Sequence, residues 1–156
     1  MEILRAAVAA LAALLDDLRL SPVYETAPLE YEEQPAFLNG AASGLWRGTP
    51  EELLAELHRI EREAGRDRSR EIRKGPRSLD IDMLLFGSRV FTTPTLSVPH
   101  PRLTERAFAL RPLLDIEPEL ADPRSGQPLS SVLASLPDQG IYLVCEHPYT
   151  RRGGRT

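Results

Sequence analysis

Two aspartates one residue apart, Asp80 and Asp82, lie in the apolar run Leu79-Asp80-Ile81-Asp82-Met83-Leu84-Leu85-Phe86, which follows the turn signal Gly75-Pro76. Read as a strand, the run sends alternate side chains to opposite faces. Both carboxylates then project from one face about 7 Å apart, with Leu79, Ile81 and Met83 on the other. Neighbouring anions on a segment that otherwise wants burial repel each other and lose hydration, so they stay ionised only beside a divalent cation or several basic groups. Oxygen-only ligation suits magnesium, which keeps some waters and takes one or two carboxylates plus substrate phosphates. Asp-x-Asp on its own is more simply a solvated strand edge. Here Arg66, Arg68, Arg70, Arg73, Lys74 and Arg77 come immediately before it, and cations beside a metal-holding strand point to a polyphosphate substrate.

Three further groups of residues are candidates for binding. In a strand reading of 37–46, Phe37, Asn39 and Ala41 share one face. An aromatic ring beside an amide suits a flat, polar-edged heterocycle, although on these residues alone a core Phe and a turn-forming Asn are the favoured reading. His100 stands between Pro99 and Pro101, which limit its backbone freedom and fix the direction of its ring. Glu61 falls inside the apolar arc that Leu53, Leu54, Leu57, Ile60 and Ala64 form on a helix, with His58 at the margin. A carboxylate on that side reaches a surface rim, pairs with an arginine or meets a ligand at the helix edge, and all three stay open.

The elements that must position these residues follow from periodicity and punctuation. Leu4, Ala7, Val8, Leu11, Leu14, Leu15 and Leu18 recur at helical spacing, predicting an amphipathic first helix over 4–18 that needs an apolar partner. Residues 21–26 have strand composition, and Pro28 and Pro35 restrict the acidic, aromatic loop that follows. Thr49-Pro50-Glu51-Glu52 predicts a helix start with a capping box, and Gly65 predicts its end after Ala64. Residues 66–74 alternate charge without apolar periodicity, as in a solvated loop able to close over phosphates. Gly87-Ser88 predicts a hairpin turn from the Asp-bearing strand into a strand over 89–92. Residues 103–114 have helical character, with Arg106 and Phe108 on the helix and Pro112 truncating or kinking its end. A short helix over 129–136, a last strand over 141–145 and a disordered basic tail over 149–156 complete the reading.

Composition bounds the answer. With 156 residues, 42% hydrophobic content and a formal net charge of −4, the chain fits one soluble domain spanning 1–156, and general nucleic-acid binding is disfavoured. Cys145 is the single cysteine, which excludes an intramolecular disulfide and a cysteine-built zinc site, and it reads as a small buried hydrophobe. The apolar stretch 6–15 is too short to span a bilayer and lacks the flanks of a signal peptide, so a cytoplasmic, non-membrane protein is expected.

Taken together, Tyr24-Glu25-Thr26-Ala27-Pro28-Leu29, Phe37-Leu38-Asn39, Arg59-Ile60-Glu61, Gly75-Pro76-Arg77-Ser78-Leu79-Asp80-Ile81-Asp82 and Val98-Pro99-His100 with Arg106-Ala107-Phe108 resemble the 6-hydroxymethyl-7,8-dihydropterin pyrophosphokinases of folate biosynthesis. The motifs stand in that family's order and cover most of the chain. The resemblance implies an α/β, ferredoxin-like sandwich with a largely antiparallel sheet between helices, and transfer of diphosphate from ATP to a pterin alcohol. It implies two Mg2+ ions on Asp80 and Asp82, phosphate contacts from Arg66, Arg68 and Arg77, and His58, Glu61, Met83, Ser97, His100 and Arg106 around the nucleotide. Phe37 and Phe108 become plates sandwiching the pterin, with Asn39, Thr26, Ala27 and Leu29 at its polar edge. A monomer acting on two small molecules is implied.

Two departures from the family are visible. The family begins with a strand ending in a Gly-Ser-Asn loop, whereas this sequence starts at the following helix, so a truncated start is expected. Lys74 stands where many members carry Trp. A metal-dependent phosphohydrolase and a noncatalytic pterin- or nucleotide-binding module are the competing functions.

Overall fold

A computed structural model describes residues 1–26, 36–65 and 79–146. Helix α1 covers Glu2–Leu14 and buries Ala7 and Leu11. It ends four residues before the predicted Leu18, because Asp16–Leu20 forms a strand, β1. Asp16 and Asp17 would sit at the negative end of a longer helix dipole. Asp17 instead takes a left-handed φ of 51° and the chain turns into the strand. Strand β2 covers Val23–Thr26, and the single strand expected over 37–46 is two, β3 at Phe37–Asn39 and β4 at Ala42–Leu45. Gly40 separates them, and they pair in different places: β3 lies antiparallel to β2, and β4 antiparallel to β1.

Helix α2, Pro50–Glu63, starts as predicted. The Thr49 hydroxyl accepts the Glu52 N–H, and the Glu52 side chain accepts the Thr49 N–H. Gly65, at φ 90°, supplies the left-handed residue that ends it. Short strands β5 (Phe91–Thr92) and β6 (Ser97–Val98) form a hairpin, a 3₁₀ turn covers Leu103–Glu105, and α3 runs from Ala107 to Ile116. Pro112 lies inside α3 and does not truncate it. Helix α4 (Leu129–Ser135) and strand β7 (Ile141–Cys145) close the described chain, with β7 antiparallel to β2. Cys145 is half-buried on β7, contrary to its expected burial.

Every strand pair is antiparallel and helices pack on the sheet, as in the ferredoxin-like α/β class. One expectation changes. Among the described residues the ladders form three separate groups, β1-β4, β3-β2-β7 and β5-β6, and 79–86 joins none of them. The turn at Gly87-Ser88 exists, but β5 pairs with β6 and not with the Asp-bearing segment. Burial along that segment still alternates as a strand's would, with Leu79 and Met83 buried and Asp80 and Asp82 exposed. Its backbone is held by other means: the Ile81 N–H donates to a Glu61 carboxylate oxygen at 2.8 Å, and the Leu84 carbonyl accepts the His100 N–H at 2.8 Å.

Two apolar clusters support this arrangement. Leu79 and Met83 pack with Ala7 and Leu11 of α1 and Leu57 and Ile60 of α2. Leu103, Leu110, Leu113 and Leu129 form the second, under α3 and α4. The Asp-bearing segment is thus anchored through its apolar face to both N-terminal helices. Among the described residues, no helix is long and apolar enough to cross a membrane.

Candidate active site

Asp80 and Asp82 open into a cavity of about 600 Å³, which α2 borders with Leu54 and His58, and the β5–β6 hairpin with residues 93–97. Met83, Ser97, His100 and Arg106 also line it. Seven of the predicted nucleotide and metal residues therefore converge on one cleft, although they span almost 50 positions of sequence. Glu61 does not reach its wall. It is 1% exposed and faces the Ile81 N–H, so it holds the residue between the two aspartates from behind.

The electrostatics of the cleft centre on Asp82. Its side chain keeps 41% exposure, but partial burial in the cleft still raises its pKa above 3.8, the adjacent Asp80 charge raises it further, and His100 and Arg106 oppose them. The Arg106 guanidinium lies 3.6 Å from the Asp82 carboxylate, and His100 Nε2 lies 3.9 Å from the same oxygen. His100 Nδ1 accepts the Arg102 N–H at 3.1 Å. An acceptor nitrogen carries no proton, so in the neutral ring the hydrogen sits on Nε2 and faces Asp82. Burial lowers the His100 pKa, the Asp82 charge works against that, and the neighbouring Arg106 and Arg102 charges reinforce it.

The residues expected at a pterin occupy an adjoining surface. Thr26 pairs with Phe37 and Tyr24 with Asn39 across the β2–β3 ladder, so all four side chains share one face. The Asn39 amide donates to the Thr26 hydroxyl at 2.8 Å. Phe37 is 41% exposed, an unusual position for a core ring. Phe108 comes from α3, which packs on β2 and β3, and the Arg106 guanidinium lies 5.5 Å from the centre of the Phe108 ring. Arg106 thus lies between Asp82 on one side and the Phe108 ring on the other.

Several contributors carry no obvious sequence signal. Thr93 and Thr95 line the cleft, and the Thr93 hydroxyl accepts the Thr95 and Leu96 N–H groups, which shapes the β5–β6 turn. The cluster Thr92-Thr93-Pro94-Thr95 is the turn signal that marks it. Tyr24 donates to Asp115 and Arg111 reaches the same hydroxyl, tying β2 to α3. Predicted phosphate contacts Arg66, Arg68 and Arg77, pterin-edge residues Ala27 and Leu29, Lys74, the charged loop 66–74 and the tail 149–156 lie outside the described residues.

The model of the 7,8-dihydro-6-hydroxymethylpterin-pyrophosphokinase family matches residues 1–118. The chain belongs to this family. A 2-amino-4-hydroxy-6-hydroxymethyldihydropteridine pyrophosphokinase of Pseudomonas aeruginosa is 44% identical over 122 residues, covering 78% of this chain and 74% of that protein. The protein of the same name from Aquifex aeolicus is 38% identical over 123 residues, covering 79% and 76%. The folic acid synthesis protein fol1 of Schizosaccharomyces pombe is 45% identical over 126 residues, which is 81% of this chain but 17% of that much longer protein.

Proposed function

We propose that this chain transfers diphosphate from ATP to the hydroxymethyl group of 6-hydroxymethyl-7,8-dihydropterin, the reaction of its family. The observation that carries the reading is the Asp80–Asp82 pair in a cleft of nucleotide scale. Asp82 is disfavoured as an anion by burial and by Asp80, a mismatch that a bound cation relieves. Among the described residues no three His, Cys, Asp or Glu side chains form a closed metal centre. Two carboxylates with the remaining positions left to water and phosphate oxygens match magnesium held jointly by protein and nucleotide. Asp80 and Asp82 would hold the metal, which when bound neutralises phosphate charge and polarises the transferred group.

In this reading the chain's own groups bind and orient. Phe37 and Phe108 hold the pterin ring between aromatic faces, as base–aromatic stacking does. Asn39, fixed by Thr26, offers its amide to the ring's polar edge. Arg106, next to Asp82 and over Phe108, places positive charge where the two substrates meet. The pterin hydroxyl oxygen attacks the β-phosphorus and forms a new O–P bond. The bond from that phosphorus to the α,β-bridging oxygen breaks, AMP leaves with the bridging oxygen, and the hydroxyl proton passes to solvent. The phosphate roles of Arg66, Arg68 and Arg77 belong to the same proposal, as do a monomeric state and a cytoplasmic location, which suit two water-soluble substrates.

Measuring AMP release with magnesium and ATP, with and without the pterin alcohol, tests the reading. Release that requires the pterin is expected. Equal release without pterin would make the chain a phosphohydrolase, and no release with both ligands bound would make it a binding module.

A further inference from the structure

Gln139 lies beyond the residues matched by the family model, and its side chain makes two bonds that bracket Arg106. Its amide oxygen accepts the Ala107 N–H at 3.0 Å, and its amide nitrogen donates to the Glu105 carbonyl at 3.0 Å. The amide's orientation is unambiguous: a backbone N–H only donates and a carbonyl only accepts, so both bonds form one way round. Glu105, Arg106 and Ala107 are the junction between the 3₁₀ turn and α3, and Arg106 makes no side-chain cap for the helix it precedes. Gln139 therefore supplies to the first N–H of α3 the acceptor that a capping side chain would give.

The same glutamine is anchored on the sheet. Gly140, at φ 68°, follows it, and the Gly140 N–H donates to the Asp138 carboxylate at 2.9 Å, closing a tight turn. The next residue, Ile141, pairs with Thr26 across the β2–β7 ladder. A short path thus runs from the strand carrying Thr26, through Gln139, to the peptide units on either side of Arg106 and directly before Phe108. One end of this path fixes the β2–β3 face that bears Phe37 and Asn39. The other fixes the guanidinium beside Asp82 and the ring on α3.

We infer that Gln139 is a positioning residue for the reaction: by clamping the Glu105 carbonyl and the Ala107 N–H, it holds Arg106 against Asp82 and sets Phe108 opposite the β2–β3 face. The inference deepens the pyrophosphokinase reading and rests on it for its kinetic consequence. Gln139→Met keeps the side chain's length and removes both bonds. Gln139→Glu keeps the acceptor and places a carboxylate against the Glu105 carbonyl.

Steady-state kinetics and a double-mutant comparison test the kinetic consequence. In Gln139→Met, kcat/KM for the pterin alcohol falls about ten- to a hundredfold, as misplacement of a positioned group does, while the affinity for a non-hydrolysable ATP analogue without pterin changes less. Gln139→Glu falls similarly, because a retained acceptor alone does not restore the clamp. In an Arg106→Ala background the further loss from Gln139→Met shrinks, since residues acting through one another are not additive. Kinetic constants within about twofold of wild type, or full additivity with Arg106→Ala, overturn the inference.

Amide hydrogen exchange and the Arg106 side-chain NMR signal read the clamp without turnover. Gln139→Met should speed exchange at Ala107 and shift the Arg106 Nε–H resonance. Unchanged exchange and resonance overturn the inference even in an active enzyme. A changed signal in Gln139→Met, where the wild-type chain itself releases no AMP, overturns the pyrophosphokinase reading and leaves the clamp standing.

Discussion

Glu61→Ala separates structure from ligand contact at the centre of the site. The carboxylate is 1% exposed and accepts the Ile81 N–H at 2.8 Å, and Ile81 is the residue between Asp80 and Asp82. Replacing it by alanine leaves that N–H without this acceptor, and hydrogen bonds to charged groups contribute about 1.5–3 kcal/mol. It also removes one buried methylene, worth roughly 0.8 kcal/mol. Deleting the carboxylate recovers its own desolvation cost, which offsets part of the loss. The net expectation is a destabilisation of about 2–3 kcal/mol, a large fraction of the 5–15 kcal/mol typical of a domain. Urea denaturation at unchanged m-value measures it. Glu61→Gln keeps an acceptor oxygen and both methylenes, so it should cost about 1 kcal/mol or less. If alanine costs under ~0.5 kcal/mol, the clamp on Ile81 is not structural. If glutamine costs as much as alanine, the negative charge and not the hydrogen bond is what matters there.

Three other variants probe the same geometry. Because burial and Asp80 raise the Asp82 pKa, its favourable contribution is present below pH 3.8 and lost as pH rises through the raised value; in chelator, Asp82→Asn should therefore gain on wild type as pH climbs through that interval and then hold a constant lead, and parallel pH curves would contradict the assignment. Asp82→Asn should also lose diphosphate transfer, and full turnover in saturating magnesium would remove Asp82 from the metal site. Phe37→Ala should weaken pterin binding by on the order of 1–3 kcal/mol while leaving the ATP analogue's affinity unchanged; an equal loss for both ligands would make Phe37 a structural ring. Tyr24→Phe should cost about 1 kcal/mol by removing the hydroxyl bound to Asp115. The Tyr24 pKa is raised above 10.0 by burial and then by Asp115, so the wild type's advantage should shrink as pH rises past 10, and a gap that widens there would refute the network.

What the sequence makes legible depends on punctuation. Helix α2 is bounded by a capping box at Thr49 and a glycine at 65, both local chemistry, and its limits are found within a residue. Strand β1 is hidden because Leu18 and Leu20 alternate in a strand while Leu14, Leu15 and Leu18 also satisfy a helical period. The two aspartates that stop α1 are the sole local signal. Residues 37–46 look continuous because Gly40 interrupts a run whose halves have equal strand character, and only their pairing with β2 and β1 separates them. Along 79–86 the alternation is correct and the expected ladder does not form among the described residues, since side-chain period reports which face is buried and says nothing of which strand lies alongside.

The candidate site divides along the same line. Asp80, Asp82, His100, Arg106 and Phe108 lie within 29 consecutive residues, and their chemistry is recognisable because an aspartate pair, a pinned imidazole and a cation beside a ring are made of distinctive residue types. The groups that fix them in place come from afar. Glu61 reaches Ile81 across 20 positions, Gln139 reaches Ala107 across 32, and Tyr24 reaches Asp115 across 91. Glu61 is marked only by its place inside an apolar helical arc, and nothing in the neighbourhood of Gln139 or Tyr24 announces the partner that its polar group meets. Burial and hydrogen bonding give these residues their meaning, and both are properties of the folded chain. Sequence thus reads out the groups proposed to meet the substrates, whereas the tolerance within which they are held, where a misplacement of about 1 Å can cost a hundredfold in rate, is set by distant residues that only the fold brings together.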